Sequence, residues 1–355
     1  MAGLFESIFD VMYLVLVISL GIKMLFIKEK GAKTFGLMAV LLGVGDSFHL
    51  VPRIMAHMTE NGMERFVSIL SWGKMVTSIT MTVFYLLYYF YYKRETNKNN
   101  KGMDILMYAL FAARVILTLL PQNNWGSAEP NLTWVIIRNV PFTIMGVILM
   151  VLSYKENKLF KKFSILIFLS FLFYLPVVLF ADKYPLVGMF MLPKTVAYFL
   201  LAYFGYKKYK SEFSGMDILE FSYISLIFGL AAGVFFREFT KYFKFNEYSM
   251  LSVLHTHTLV LGFILGMIIF LLISSLGKKD ISKYKIPVNH WIFGMLFSIT
   301  MMFIRGIYQV IGNGAELFNN AMFSGLAGLG HIALSVGLIW SMLLLISDFR
   351  IVKDK

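Results

Sequence analysis

Seven charged or titratable side chains of the first 206 residues stand deep inside long apolar runs: Asp46, His49, Arg53, Lys74, Arg114, Arg138 and Lys194. An ionised group in such a run is costly unless it meets a partner, water or a ligand. Counting about 1.5 Å per helical residue puts Asp46 near the bilayer midplane and the other six in one slab on its outer side. In the segment GVGDSFHLVPRIMAH, Asp46, His49, Arg53 and His57 are spaced 3, 4 and 4 apart, which gathers them on one face of a helix. Pro52 in the same segment frees a backbone carbonyl one turn earlier. Arg53, Lys74, Arg114, Arg138 and Lys194 outnumber the one acid, Asp46. This set reads as an outward-opening cavity for a small anionic ligand, a carboxylate or a lipid phosphate. It also suits a structural network in which Asp46 pairs with Arg53 or Lys194 and the other cations bond freed carbonyls or reach headgroups. Trp72, Trp125 and Trp134 read as the aromatic belt of a membrane protein.

The second group is histidine-based. His255 and His257 are two residues apart in SMLSVLHTHTLVLGF, so on a helix they point about 200° apart and serve different neighbours. His331 lies in the Gly/Ala-rich stretch GLAGLGHIALSVGL, at a depth compatible with both. One reading is a b-type heme held between helices by two of these imidazoles, with Arg305 and Arg237 meeting its propionates. In the other, His255 and His257 line the interface, bonded to Ser252, Thr256 or Thr258, and His331 is a polar helix contact. No metal site is expected. His49 and His57, eight residues apart, are separated by about 12 Å along a helix and cannot share an ion.

The elements that must position these residues follow from composition. Of 355 residues 58% are hydrophobic and only 15% charged, a balance that excludes a soluble enzyme or a disordered chain. Eleven apolar runs, at about 8–27, 34–57, 66–91, 103–120, 132–153, 163–181, 186–206, 217–236, 250–275, 287–310 and 321–347, are each long enough to cross a bilayer. Backbone polar groups in lipid must be satisfied within the segment, so the expected fold is an all-α polytopic transmembrane bundle. The basic segments KEKGAK, KRETNKNNK, KENKLFKK, KKYK and KKDISKYK follow spans 1, 3, 5, 7 and 9, while the alternate loops lean acidic. Short basic loops stay in the cytoplasm, which predicts an outside N-terminus and a cytoplasmic C-terminus. The net charge of +13 is thereby an orientation signal spread over several short segments, and no nucleic-acid partner is expected. The polar stretch KKYKSEFSG divides the chain into a seven-helix domain, 1–206, and a four-helix domain, 217–355. The first segment, MAGLFESIFD, has no basic residue before its apolar run and is expected to be a retained first helix. Cysteine is absent, so there is no disulfide or thiolate site.

Certain segments carry resemblances. The stretch 217–347, with FFREFTKY, VLHTHTLVLGF and GHIALSVGL, resembles uncharacterised bacterial four-helix membrane proteins, and more distantly subunit I of heme–copper oxidases. In that subunit an HxH pair on one helix ligates two hemes, one from each face, and His255 and His257 match that pair. The further histidines for copper have no counterpart here, so the resemblance does not imply oxidase activity. The segment 1–206, with GDSFHLVPRI, RNVPFTIMG and MLPKTVAYF, is similar to another uncharacterised bacterial seven-helix family. Lys194 in a seventh span also resembles the Schiff-base lysine of retinal proteins, in architecture alone. These likenesses imply a multi-pass protein of the bacterial plasma membrane but bring no known reaction; the cation cluster and the histidines point to a sensory, small-molecule-binding or redox role. The alternative is a transporter or receptor for an anionic solute or lipid, without a cofactor.

Overall fold

The structure is a computed structural model describing residues 2–128, 131–180, 184–210, 212–277, 281–312 and 320–353. Regular structure among the described residues is entirely helical. Eleven helices are long and apolar enough to cross a membrane, in agreement with the polytopic all-α expectation. The elements are α1 (Ala2–Phe26), α2 (Lys30–His57), the short α3 (Gly62–Arg65), α4 (Val67–Thr96), α5 (Lys101–Leu119), α6 (Leu132–Tyr154), α7 (Lys158–Phe180) and α8 (Met191–Tyr209). They continue with α9 (Gly215–Tyr242), α10 (Leu251–His257), α11 (Leu265–Ser275), α12 (Lys285–Ile311) and α13 (Asn320–Lys353). Several helices outrun their apolar cores. For example, α4 continues to Thr96 and α13 to Lys353, because polar residues at a helix end are solvated without breaking the backbone ladder.

The chain forms two compact units. One, here the N-terminal unit, comprises 13–53 and 63–210, and the other, the C-terminal unit, comprises 1–12, 54–62 and 211–355.

The N-terminal unit is built on α4. Its residues Tyr85, Tyr88, Tyr89, Tyr91 and Tyr92 are all buried, and a buried phenol needs a hydrogen-bond partner. Each finds one: Tyr85 with Tyr198 (3.3 Å), Tyr88 with Ser153 (2.8 Å), Tyr91 with Tyr209 (3.2 Å), Tyr89 with Asp104 (2.7 Å) and Tyr92 with Glu156 (2.8 Å). At this end of the unit lie the ion pairs Lys93–Asp104, Lys208–Glu95 and Lys98–Glu156. Close approach of α2 to α4 uses Gly73, where a Cβ would stand 2.2 Å from the Phe48 carbonyl oxygen. That carbonyl is one turn before Pro52, which has no N–H to offer it. The missing helical bond therefore leaves a carbonyl facing a bare glycine backbone.

Glu156 lies between α6 and α7. The Lys98 ammonium, followed by the Tyr92 hydroxyl, holds its carboxyl below the ordinary range. A depressed carboxylate contributes stability that is present above its unfolded pKa and lost as pH falls through the folded one. Glu156→Gln is therefore expected to be slightly less stable than wild type near about pH 7, with the difference closing below about pH 4. Unfolding curves across that range check it.

In the C-terminal unit α12 and α13 pack backbone against backbone. A Cβ at Gly294 would lie 2.2 Å from the Leu334 nitrogen and 2.7 Å from the Gly330 carbonyl oxygen. The span at 251–275 is continuous but not uniformly α-helical. Residues Thr258–Ile264 form a π-helix directly after His257. The widened turn leaves the Leu261 carbonyl open to the buried Trp291, whose Nε1 donates to it at 3.1 Å.

Candidate functional site

The N-terminal unit contains a cavity of about 430 Å³, and six of the seven residues singled out in the apolar runs line it. α2 brings His49 and Arg53, α4 Lys74, α5 Arg114, α6 Arg138 and α8 Lys194. Five separate helices thus aim a polar group at one space, as their common depth in the sequence suggests. No carboxylate stands among the described lining residues. The rest of the wall is aromatic and aliphatic, with Trp125, Phe142, Phe171, Tyr174 and Tyr198 the large contributors.

Two arginines are held deep. Arg114 is 2% exposed and its guanidinium carbon sits 5.3 Å from the centre of the Phe142 ring. Its Nε and Nη1 have no hydrogen-bond partner among the described residues. Arg138 is fixed more firmly. Its guanidinium lies 4.1 Å over the Trp125 ring, and Nη1 donates to Asn123 Oδ1 at 2.7 Å. Asn123 in turn donates to the Leu117 and Leu120 carbonyls, both at 2.8 Å. Trp125 Nε1 donates to the Thr118 carbonyl at 2.7 Å. The segment PQNN after α5 makes this possible. Pro121 opens a 3-10 turn and Asn124 takes a left-handed conformation (φ 53°), folding Trp125 back under α6. Trp125 is therefore a wall of the cavity, not only a belt residue. Trp72, 48% exposed, does suit the belt.

Lys194 lies 5.0 Å from the Tyr174 ring centre and 5.7 Å from that of Tyr198. It stands in the first turn of α8, which is preceded by a 3-10 stretch, Pro185–Phe190. Lys194, directly after Pro193, therefore stands nearer the start of α8 than its middle. His49 Nδ1 is 3.3 Å from the Leu70 carbonyl oxygen.

Asp46 departs from the expected set. It does not line the cavity. It accepts a 2.7 Å hydrogen bond from the Tyr13 hydroxyl, because α1 packs over this part of α2. It and Lys194 also act on each other electrostatically, as the structural network considered above has it. His57 does not line the cavity either. It belongs to the C-terminal unit, 3.2 Å from the Glu6 carboxylate.

The histidine group divides. His257, His331 and Arg305 line one cavity of about 210 Å³ in the C-terminal unit. His255 points elsewhere, toward Gly233 of α9, as a two-residue helical spacing requires. Arg237 is a surface residue paired with Glu238 at 2.7 Å and is not part of that cavity. The interfacial alternative also needs correction, because the hydroxyls of Ser252, Thr256 and Thr258 bond carbonyls of their own helical turns. His257 Nδ1 instead meets the Val253 carbonyl at 2.9 Å. No group of three or more His, Asp or Glu side chains suited to a metal ion occurs among the described residues.

Comparison with known proteins bears on the C-terminal unit alone. Residues 216–348 match a family described as a protein of unknown function (DUF2871). That match spans α9 to α13 and includes His255, His257, Arg305 and His331, but none of the residues of the larger cavity. No curated protein and no solved structure matches the chain, so the likeness to heme–copper oxidases gains no support from them.

Proposed function

We propose that the protein is a multi-pass membrane receptor or binding protein whose N-terminal unit holds a small organic anion with an apolar or aromatic body. One observation carries the reading. Arg114, nearly fully buried against the 430 Å³ cavity, has two guanidinium nitrogens with no hydrogen-bond partner among the described residues. Leaving a buried charged donor unsatisfied is expensive, and a carboxylate in the cavity supplies a charge-assisted acceptor. Arg138 and Lys194 offer further positive charge on two other helices. Its volume suits a ligand of drug-like size, and the aromatic wall suits a ring.

Loop charge gives the orientation. The cavity lies at the end of the unit carrying Met63, Trp125 and Met191, and these belong to connections that the basic-loop bias assigns to the outside. The ligand therefore enters from the external face, and the ion pairs of Lys93, Lys98 and Lys208 lie on the cytoplasmic side.

Thermal unfolding of the detergent-purified chain with a panel of organic carboxylates, each beside its neutral alcohol, tests this. The first pair is 2-naphthoate and 2-naphthylmethanol. At least one carboxylate is expected to raise the unfolding temperature where its alcohol does not, since binding to the folded state alone stabilises it. A panel in which acids and alcohols act alike, or not at all, counts against the proposal.

A further inference from the structure

The smaller cavity, in the C-terminal unit, presents a different combination of groups. Arg305 Nε is buried and has no hydrogen-bond partner among the described residues. The described lining residues include no carboxylate, and Met301 and Phe323 are among its apolar members. His257 is pinned by its Nδ1 bond to the Val253 carbonyl. A carbonyl only accepts, so Nδ1 carries a hydrogen, and Nε2 donates to an oxyanion only when the ring takes up a second proton. His331 is exposed and sits among apolar residues of the same helix, with Leu329 61% and Ile332 64% exposed. The edge of the cavity at His331 therefore adjoins a helix face rich in exposed hydrocarbon.

We propose that this cavity binds the oxyanion of a membrane-borne molecule: a long-chain carboxylate or the phosphate of an anionic phospholipid. Arg305 supplies the charge and a planar donor set matched to either oxyanion. His257 and His331 flank it, and the acyl chain leaves along the exposed face of α13. A cavity of 210 Å³ holds a headgroup's charged end and little more, so the hydrocarbon must lie outside, where the lipid-facing side chains are. A π-helical turn next to a binding residue is a recurrent feature of functional sites, and here it begins one residue after His257. This site is separate from the larger cavity and does not depend on what the larger one binds.

The test uses the full chain carrying Arg114→Gln, so that binding at the larger cavity is suppressed. Native mass spectrometry counts retained oleate, phosphatidylglycerol, phosphatidylcholine and acetate. One oleate or one phosphatidylglycerol per chain is expected, held well above phosphatidylcholine and acetate. Tighter oleate assigns a carboxylate and tighter phosphatidylglycerol a lipid phosphate. Adding Arg305→Gln is expected to weaken retention about tenfold or more, the scale of one charge-assisted bond. If that variant does not fold, Arg305→Lys and His331→Phe replace it, each expected to weaken retention. The proposal is overturned if neither lipid exceeds phosphatidylcholine, if acetate binds as well as oleate, or if folded variants retain the lipid undiminished. A Soret band on hemin addition that His257→Ala abolishes also overturns it, since the cavity would then hold heme.

Discussion

Arg114→Gln is expected to weaken binding of the stabilising carboxylate by about 3 kcal/mol, on the order of 100-fold in Kd. The side chain is nearly inaccessible, so its bond to a ligand is shielded from water and from salt. Glutamine keeps a polar donor of similar reach but removes the charge and the fork. Arg114→Lys keeps the charge and loses the fork, and is expected to fall between the two. Arg138→Gln is expected to be less simple, because that guanidinium also bonds Asn123 and stacks on Trp125, so its loss disturbs the wall as well as the charge. Titration of each variant with the best carboxylate of the panel, at constant ionic strength, measures these differences. Equal affinity of wild type and Arg114→Gln would remove Arg114 from the site.

A second large effect is expected at Gly294. Helix propensity alone favours alanine over glycine by about 1 kcal/mol. Here the added Cβ meets the Leu334 nitrogen and the Gly330 carbonyl of α13, which are backbone atoms and cannot rotate away. The two helices must separate, and Gly294→Ala is expected to destabilise by about 3 kcal/mol. Gly325 of α13 is the control, because a Cβ there meets nothing within 4 Å, and Gly325→Ala is expected to be neutral or slightly stabilising. Unfolding temperatures of the two variants should therefore move in opposite directions, or one alone should move. A Gly294→Ala protein as stable as wild type would mean that α12 and α13 are not this close.

The spans were legible because lipid imposes a length and a composition on any helix that crosses it. The cavity was partly legible for the same reason. Arg53, Lys74, Arg114, Arg138 and Lys194 stand out in apolar runs, and counting residues gives their depth. What counting along one helix cannot give is the partner on the next. Asp46 reads as the counter-ion of the cluster and does interact with Lys194, but the hydrogen bond it accepts from Tyr13 of α1 is invisible to counting. Asn123 is not legible and Trp125 reads only as belt, because their place depends on a 3-10 turn and a left-handed Asn124 after α5. The run PQNNW, polar and turn-forming beside a helix end, was the available signal. The histidine spacing separated His255 from His257 correctly. The π-helix beside them left no mark in the hydrophobic pattern, since one widened turn does not change which residues are apolar.

The most direct measurement is the unfolding free energy of ligand-free Arg114→Met against wild type. If the guanidinium is an unsatisfied buried charge awaiting an anion, replacing it with an apolar side chain of similar length removes a cost. The variant is then more stable than wild type by about 1 kcal/mol or more, while losing the stabilisation that the carboxylate gives. A variant destabilised by about 3 kcal/mol or more would show that Arg114 already has an internal partner, and the cavity would then be part of the scaffold rather than a binding site.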